Sequence, residues 1–149
     1  MTTDHENIAS LITTLSNSNS LQSAQHTAAK RLLAYDGEIY PSDGCAITLS
    51  VLLQSVGIDV PDTFKAIELG KVLQNRGWKV IPVGQQKKGD VGSTCGTQAH
   101  HGYDHIYLVL EVMNIDEMVI ADNQSGSPHF RFASGKGGKT PTTFFLRAE

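Results

Sequence analysis

Apolar residues recur at helical spacing through the first half of the chain. In the first segment Ile8, Leu11 and Leu15 share one face, with Asp4 available as a cap near its start. Four helices are predicted, and they cover residues 6–16, 21–35, 45–56 and 61–75. Polar residues 16–20 form a turn between the first two. The third helix is apolar on nearly every side, so we expect it to be central and covered by the rest of the fold.

The pattern changes to that of strands after residue 77. Strands are predicted at residues 78–83, 105–113, 118–122, 129–132 and 142–148. The segment 84–93 between the first two is rich in glycine and polar residues, and we interpret it as a turn-rich connection. Helices followed by strands predict an α+β fold, with N-terminal helices packed on one face of an antiparallel β-sheet.

Length and composition indicate one globular domain without a basic surface for binding nucleic acid. The 149 residues, with 40% hydrophobic and 18% charged positions, fit a single domain over 1–149, with a helical lead-in at 1–36 and a core at 37–149. A net charge of −3 offers no basic field for nucleic acid, and no apolar run is long enough for a membrane span. We expect a monomer, made in the cytoplasm without a Sec-type signal sequence.

Cys45 is the candidate nucleophile because it stands at the start of the apolar third helix. Ser42 or Asp43 can cap that helix, and Gly57 can close it. The pKa of a thiol falls at a helix N-terminus beside an imidazole, which favours the reactive thiolate. The competing interpretation is a small buried thiol without chemistry. Cys95 is the second cysteine, so the pair could form a disulfide, remain two free thiols, or consist of one functional and one incidental cysteine.

His105 is the candidate general base because it opens the most strongly predicted strand at the edge of a glycine-rich loop. A polar group should orient its ring. The following strand runs back antiparallel and ends at Asp122 and Asn123, which brings them beside His105. Alternation along a strand lets only one of the two face the imidazole, and both stay candidates.

A zinc site is the alternative for the same region. Cys95, His100, His101 and His105 fall within eleven residues, and thiolate with imidazole is zinc chemistry. Their spacing matches no usual paired-ligand pattern, so we expect no metal and no other cofactor. Candidate substrate-binding residues precede the proposed nucleophile and base, and they include Asp43, His101 and Tyr103.

The stretch SDGCAITLSVLLQSVGIDVP resembles the nucleophile segment of NlpC-like cell-wall cysteine peptidases. KKGDVGS is similar to the turn before their histidine strand, and HIYLVL is similar to that strand. CHAP amidases and the amidase effectors of type VI secretion share this plan. Two features depart from the family pattern: Gly44 separates Asp43 from Cys45, and Ala46-Ile47 replaces Ser-Gly after the cysteine.

The resemblance implies a papain-like core with Cys45 as nucleophile, His105 as base and a polar residue on the next strand. Family members also place a tyrosine upstream of the cysteine near the oxyanion, so the resemblance adds Tyr40 or Tyr35 as a substrate-binding candidate. It also implies hydrolysis of an amide in peptidoglycan stem peptides through a thioester. The enzyme would then act in the periplasm or cell wall after non-Sec delivery or lysis, as an antibacterial effector with an immunity protein as partner or as a phage lysis enzyme. The alternative is a catalytically inactive papain-like module with a binding or structural role.

Overall fold

The computed structural model describes residues 3–15, 17–36, 44–96 and 104–149, and this part of the chain has an α+β fold. The helices within it are α1 (Asp4–Thr14), α2 (Ser18–Asp36), α3 (Gly44–Ser55) and α4 (Ala66–Asn75). The strands within it are β1 (Lys79–Ile81), β2 (Val91–Ser93), β3 (Ile106–Val112), β4 (Glu117–Ala121), β5 (His129–Phe132) and β6 (Phe144–Arg147). Among the described residues, no helix combines the length and the apolar character that a membrane crossing needs.

The strands form one antiparallel sheet in the order β1-β6-β2-β3-β4-β5. β3 is central, and it pairs with β2 on one side and with β4 on the other. β5 forms the edge next to β4. The start of β3, the end of β4 and the start of β5 therefore lie at the same end of three neighbouring strands.

The helices cover one face of this sheet, as the sequence predicted. One apolar cluster joins residues of all the described helices to sheet residues such as Ile106 and Leu108. A second cluster contains only sheet and loop residues, including Tyr107 and Phe145. Because successive residues of β3 belong to different clusters, the strand packs on both faces.

Helix α3 is the central helix of the fold. Every residue from Gly44 to Leu53 is buried, so this helix has no solvent-exposed face over that length. Its apolar residues lie between the other helices and the sheet. Burial on all sides explains why the sequence of α3 lacks the polar stripe of a surface helix.

Three helices start two or more residues away from the position that the sequence predicted. Thr3 caps α1 through a hydrogen bond from the Glu6 backbone N–H at 3.2 Å, whereas Asp4 lies inside the helix. Helix α2 begins at Ser18, within the predicted turn. Helix α4 begins at Ala66 and not at Pro61. The segment after Pro61 is held against α3, and this tertiary contact competes with helix formation.

That contact is made by polar groups on α3. The Thr63 backbone N–H donates to Ser50 Oγ at 3.3 Å, and Gln54 Nε2 donates to Asp62 Oδ1 at 2.8 Å. Lys65 is still extended, with φ −124° and ψ 133°. The helix signal at Pro61 and Asp62 was thus overridden by packing.

Strand β2 was missed because its sequence, Val-Gly-Ser, lies in the stretch that we interpreted as a turn. All three of its residues are buried between β6 and β3. A Cβ atom on Gly92 would collide with the ring of Tyr107 on β3. Glycine is needed at this position because the Tyr107 ring lies so close to the backbone of β2. In the sequence alone, the same glycine indicates a turn.

Candidate active site

Cys45 is the second residue of α3 and lies in its first turn. Cys45 is 5% exposed and belongs to the main apolar cluster. The insertion of Gly44 before it does not move it out of the helix, because the helix begins at that glycine. The two predicted N-terminal caps of this helix, Ser42 and Asp43, lie outside the described residues.

The thiol of Cys45 contacts the backbone on both sides of His105. Sγ lies 4.0 Å from the carbonyl oxygen of Asp104, to which the thiol donates. The backbone N–H groups of Ile106 and Ala46 are placed to donate to the sulfur. Within the described part of the chain, the hydrogen bonds of the thiol are to these backbone groups and not to the His105 ring.

Burial raises the pKa of the Cys45 thiol to about 12, although the N–H groups of Ile106 and Ala46 act to lower it. The expectation that the helix N-terminus would lower this pKa is wrong for this conformation. Burial destabilises the thiolate by more than the two backbone N–H donors stabilise it. The resting group is therefore a neutral thiol at physiological pH.

His105 is joined to Asp122 by a buried hydrogen bond. The distance from His105 Nε2 to Asp122 Oδ2 is 2.7 Å, and their side chains are 9% and 0% exposed. Of the two candidates at the end of β4, the structure places Asp122 against the ring. The side-chain oxygen Oδ1 of Asn123 is buried and has no hydrogen-bond partner in the described part of the chain.

The carboxylate of Asp122 accepts from three donors. Besides His105, Oδ1 accepts from His129 Nε2 at 2.8 Å and from the Gln124 backbone N–H at 2.9 Å. Burial acts to raise the pKa of this carboxyl group, but the hydrogen bonds from His105 and His129 outweigh it and hold the pKa well below its usual range. Asp122 is therefore ionised although its side chain is fully buried.

His129 did not emerge from the sequence reasoning. It is the first residue of β5, and β5 pairs with β4 so that His129 lies opposite Ile120. Asp122 is two residues beyond Ile120 on the same face, which makes it a diagonal neighbour of His129. The available signal was a histidine opening the predicted strand 129–132, directly after the strand that ends at Asp122.

The sequence-predicted substrate-binding residues cannot be placed around this site. Tyr40, Asp43, His101 and Tyr103 all lie outside the described residues. The same holds for His100, one of the four candidate zinc ligands. Over the described ranges, no three His, Cys, Asp or Glu side chains are arranged to hold a metal ion.

Cys95 lies near this region as a second free thiol. Cys45 and Cys95 are both buried and are not joined by a disulfide. The backbone carbonyl of Cys95 accepts from Thr143 Oγ1 at 2.7 Å, and burial raises the pKa of its thiol. A free Cys45 thiol is the state that nucleophilic attack requires.

Two large surface cavities lie away from Cys45. One of about 510 Å³ is lined by α1, α2 and the C-terminal half of α3. Another of about 470 Å³ lies between α1, the turn at 87–90 and the end of β6. Neither is lined by Cys45, His105 or Asp122. Both cavities are therefore separate from the candidate active site.

The arrangement of Cys45, His105 and Asp122 must be interpreted from its own geometry. No family model matches the chain, and no significant match was found among curated proteins or solved structures.

Proposed function

We propose that this protein is a cysteine amidase in which Cys45 is the nucleophile, His105 the general base and Asp122 the group that orients the base. The observation that carries the proposal is the 2.7 Å hydrogen bond from His105 Nε2 to the fully buried carboxylate of Asp122. It lies beside a helix-terminal cysteine whose thiol contacts the backbone of the residues flanking His105. A nucleophile, a base and a group orienting that base are the parts of a cysteine hydrolase.

The bond to Asp122 determines which nitrogen of His105 can act as base. An ionised carboxylate only accepts hydrogen bonds, so His105 carries its proton on Nε2. The lone pair is then on Nδ1, which can take the thiol proton as Sγ attacks a substrate carbonyl carbon. Asp122 also stabilises the imidazolium that this transfer creates.

The remaining steps follow from the same groups. Attack forms a tetrahedral oxyanion, and the backbone N–H of Cys45 at the start of α3 is available to stabilise it. His105 returns the proton to the leaving amine, which leaves a thioester on Cys45. Water, activated by the same histidine, then hydrolyses the thioester. Because the resting thiol has a pKa of about 12, its deprotonation belongs to the chemical step and not to a preformed ion pair.

The catalytic hydrogen bond from thiol to imidazole must form when substrate binds. In this structure the thiol donates to the backbone carbonyl of Asp104. Catalytic hydrogen bonds are often long without substrate and shorten in the Michaelis complex. The segments 37–43 and 97–103, which immediately precede α3 and Asp104 in the chain, contain the proposed substrate-binding residues.

The proposed substrate is an amide of peptidoglycan stem peptides. Support comes from the resemblance of the Cys45 and His105 segments to NlpC-like and CHAP enzymes, whose papain-like core also has a helix-terminal cysteine before an antiparallel sheet. The order of α3, β3 and β4 agrees with that plan. We further propose delivery to the cell wall as an effector, with an immunity protein as partner, or release as a lysis enzyme.

Digestion of purified sacculi tests this function. Wild type should release new muropeptides, identified by liquid chromatography and mass spectrometry, and Cys45→Ala should release none. Cys95→Ala is the matched control, because it removes the other buried thiol, and it should retain activity. Folded wild type that releases nothing, or Cys45→Ala that is as active as wild type, would show that the proposal is wrong.

A second candidate function is an inactive module that binds the same wall peptides. The observation that favours it is the burial of the Cys45 thiol, which donates to the Asp104 carbonyl and not to the His105 ring. Such a module would bind sacculi in a pull-down assay, and Cys45→Ala would bind as well as wild type while neither released any fragment.

A further inference from the structure

His129 holds the second oxygen of the carboxylate that orients His105. Its Nε2 lies 2.8 Å from Asp122 Oδ1, whereas His105 Nε2 lies 2.7 Å from Oδ2. The Asp122 side chain is fully buried, and the His129 side chain is 27% exposed. One carboxylate therefore joins two histidines, one directly before β3 and one at the start of β5, and these strands lie on either side of β4.

The strand register accounts for this arrangement. β4 and β5 pair Ile120 with His129, so Asp122 is diagonal to His129 on the same face. β3 and β4 pair Leu108 with Ala121, which places the residues preceding β3 near the end of β4. The two histidines thus approach the carboxylate from opposite sides, and each can use a separate oxygen.

Charge determines the direction of both hydrogen bonds. Asp122 is ionised because its pKa is held well below the usual range, so it can only accept. His105 and His129 must then both donate from Nε2. Without His129, Oδ1 would keep only the Gln124 backbone N–H as a donor among the described residues. The carboxylate would then be less firmly fixed about its last torsion.

We propose that His129 is a positioning residue that acts on His105 through Asp122, by fixing the carboxylate so that Oδ2 stays directed at His105 Nε2. This inference rests on the proposed function, in which His105 is the base. The role assigned to His129 is orientation, because its hydrogen bond is to Asp122 and not to the thiol.

The test uses three substitutions of His129, of which only one keeps a hydrogen-bond donor within reach of Asp122 Oδ1. Glutamine carries its amide nitrogen at about the position of the imidazole Nε2, so His129→Gln keeps a donor to Oδ1. His129→Leu removes it, and His129→Asn keeps the polarity but is too short to reach. Replacement of the exposed His26 on α2 by leucine is the control for loss of a histidine elsewhere.

Kinetics on a soluble muropeptide and ¹⁵N spectra of the imidazoles provide two independent measurements. We expect His129→Leu and His129→Asn to lower kcat about tenfold or more with unchanged KM, since hydrogen bonds to charged groups are among the strong ones. His129→Gln should stay within about threefold of wild type, because the donor is retained. His105 should be protonated on Nε2 in wild type and in the glutamine variant, and should become a mixture of tautomers in the other two.

The spectra separate failure of this inference from failure of the proposed function. If wild type has no activity on any muropeptide, the proposed function fails, but the His105 tautomer still reports whether His129 positions it. A His105 spectrum in folded His129→Asn or His129→Leu that is identical to that of wild type would overturn the inference. So would equal losses of kcat in the glutamine and asparagine variants. If the leucine variant does not fold, the asparagine variant provides the comparison.

Discussion

Replacement of Asp122 by asparagine should disable His105 while changing the shape of the site very little. The carboxylate accepts from His105, His129 and the Gln124 backbone N–H. Asparagine has the same shape but offers one accepting oxygen and one donating NH₂ group. One of its two positions must therefore present a donor where wild type has an acceptor.

The hydrogen bonds determine which position changes. The Oδ1 position receives two N–H donors, at 2.8 Å from His129 and 2.9 Å from Gln124. The Oδ2 position receives only one, from His105 at 2.7 Å. The asparagine oxygen should occupy the Oδ1 position, which leaves NH₂ facing His105 Nε2. His105 must then carry its proton on Nδ1 and cannot accept one from the thiol.

The expected magnitude is large for activity and moderate for stability. An orienting Asp→Asn change that forces the wrong tautomer in a serine-protease triad lowers kcat by ~10⁴, and we expect a decrease of about 10³ to 10⁴ here. Loss of a buried charged acceptor should lower the free energy of unfolding by about 1.5–3 kcal/mol. The folded-state pKa of Asp122 lies below its ordinary value, so this stability is present above about pH 4 and is lost as the pH falls further.

Muropeptide release, urea denaturation at several pH values and imidazole ¹⁵N spectra measure these effects. Asp62→Asn is the control, because it makes the same substitution in an ion pair with Arg31 whose side chains are 42% and 37% exposed. Folded Asp122→Asn that keeps activity within about threefold of wild type would refute the role assigned to Asp122. So would a His105 ring that remains protonated on Nε2 in that variant.

Three further predictions follow from contacts elsewhere in the chain. Iodoacetamide should modify Cys45 at pH 7 more than about tenfold more slowly in the folded protein than in urea, because burial raises the pKa of the folded-state thiol. Asp4→Asn should lower the free energy of unfolding by about 1–2 kcal/mol, since Asp4 accepts from Arg76 at 2.7 and 2.9 Å. The hydrogen bonds from Arg76 hold the pKa of Asp4 below its usual value, so urea titrations should show this difference shrinking below about pH 4. Gly92→Ala should destabilise by about 2–3 kcal/mol in urea, because the new Cβ would collide with the buried ring of Tyr107.

Each of these has an outcome that contradicts it. Rapid alkylation of Cys45 with a midpoint below pH 7 would mean that a thiolate and imidazolium pair forms at rest. If Asp4→Asn lowered the free energy of unfolding equally at every pH, the lowered pKa of Asp4 would not contribute to stability. Gly70→Ala is the control for Gly92, because a Cβ there meets nothing within 4 Å. It should leave stability unchanged or raise it by about 0.5–1 kcal/mol, and an equal loss at both glycines would count against the Tyr107 collision.

The sequence predicted the fold best where hydrophobic pattern and packing agree. Helix α3 and strand β3 were identified closely because nearly every residue in them faces a core. The hydrophobic pattern did not predict β2. Its glycine indicates a turn in the sequence alone, but in the folded protein it leaves room for the buried ring of Tyr107. The pattern also failed at the start of α4, where hydrogen bonds from α3 hold residues 62 and 63.

The candidate site was partly accessible from the sequence for a similar reason. Chain order and alternation brought His105 next to Asp122 or Asn123, because a hairpin fixes which strand ends meet. His129 comes from β5, and its distance to Asp122 depends on the register of a second strand pair. The pKa of Cys45 could not be inferred from helix position, since it depends on how deeply the surrounding chain buries the sulfur.

Identification of a covalent intermediate tests the claim that Cys45 is the nucleophile most directly. Wild-type protein would be mixed with muropeptide, quenched in acid within the first turnover, and analysed by intact mass and peptide mapping. The account predicts an acyl group on the peptide that contains Cys45, released by hydroxylamine as expected for a thioester. Turnover without any adduct on Cys45, or with the acyl group on Cys95, would contradict it.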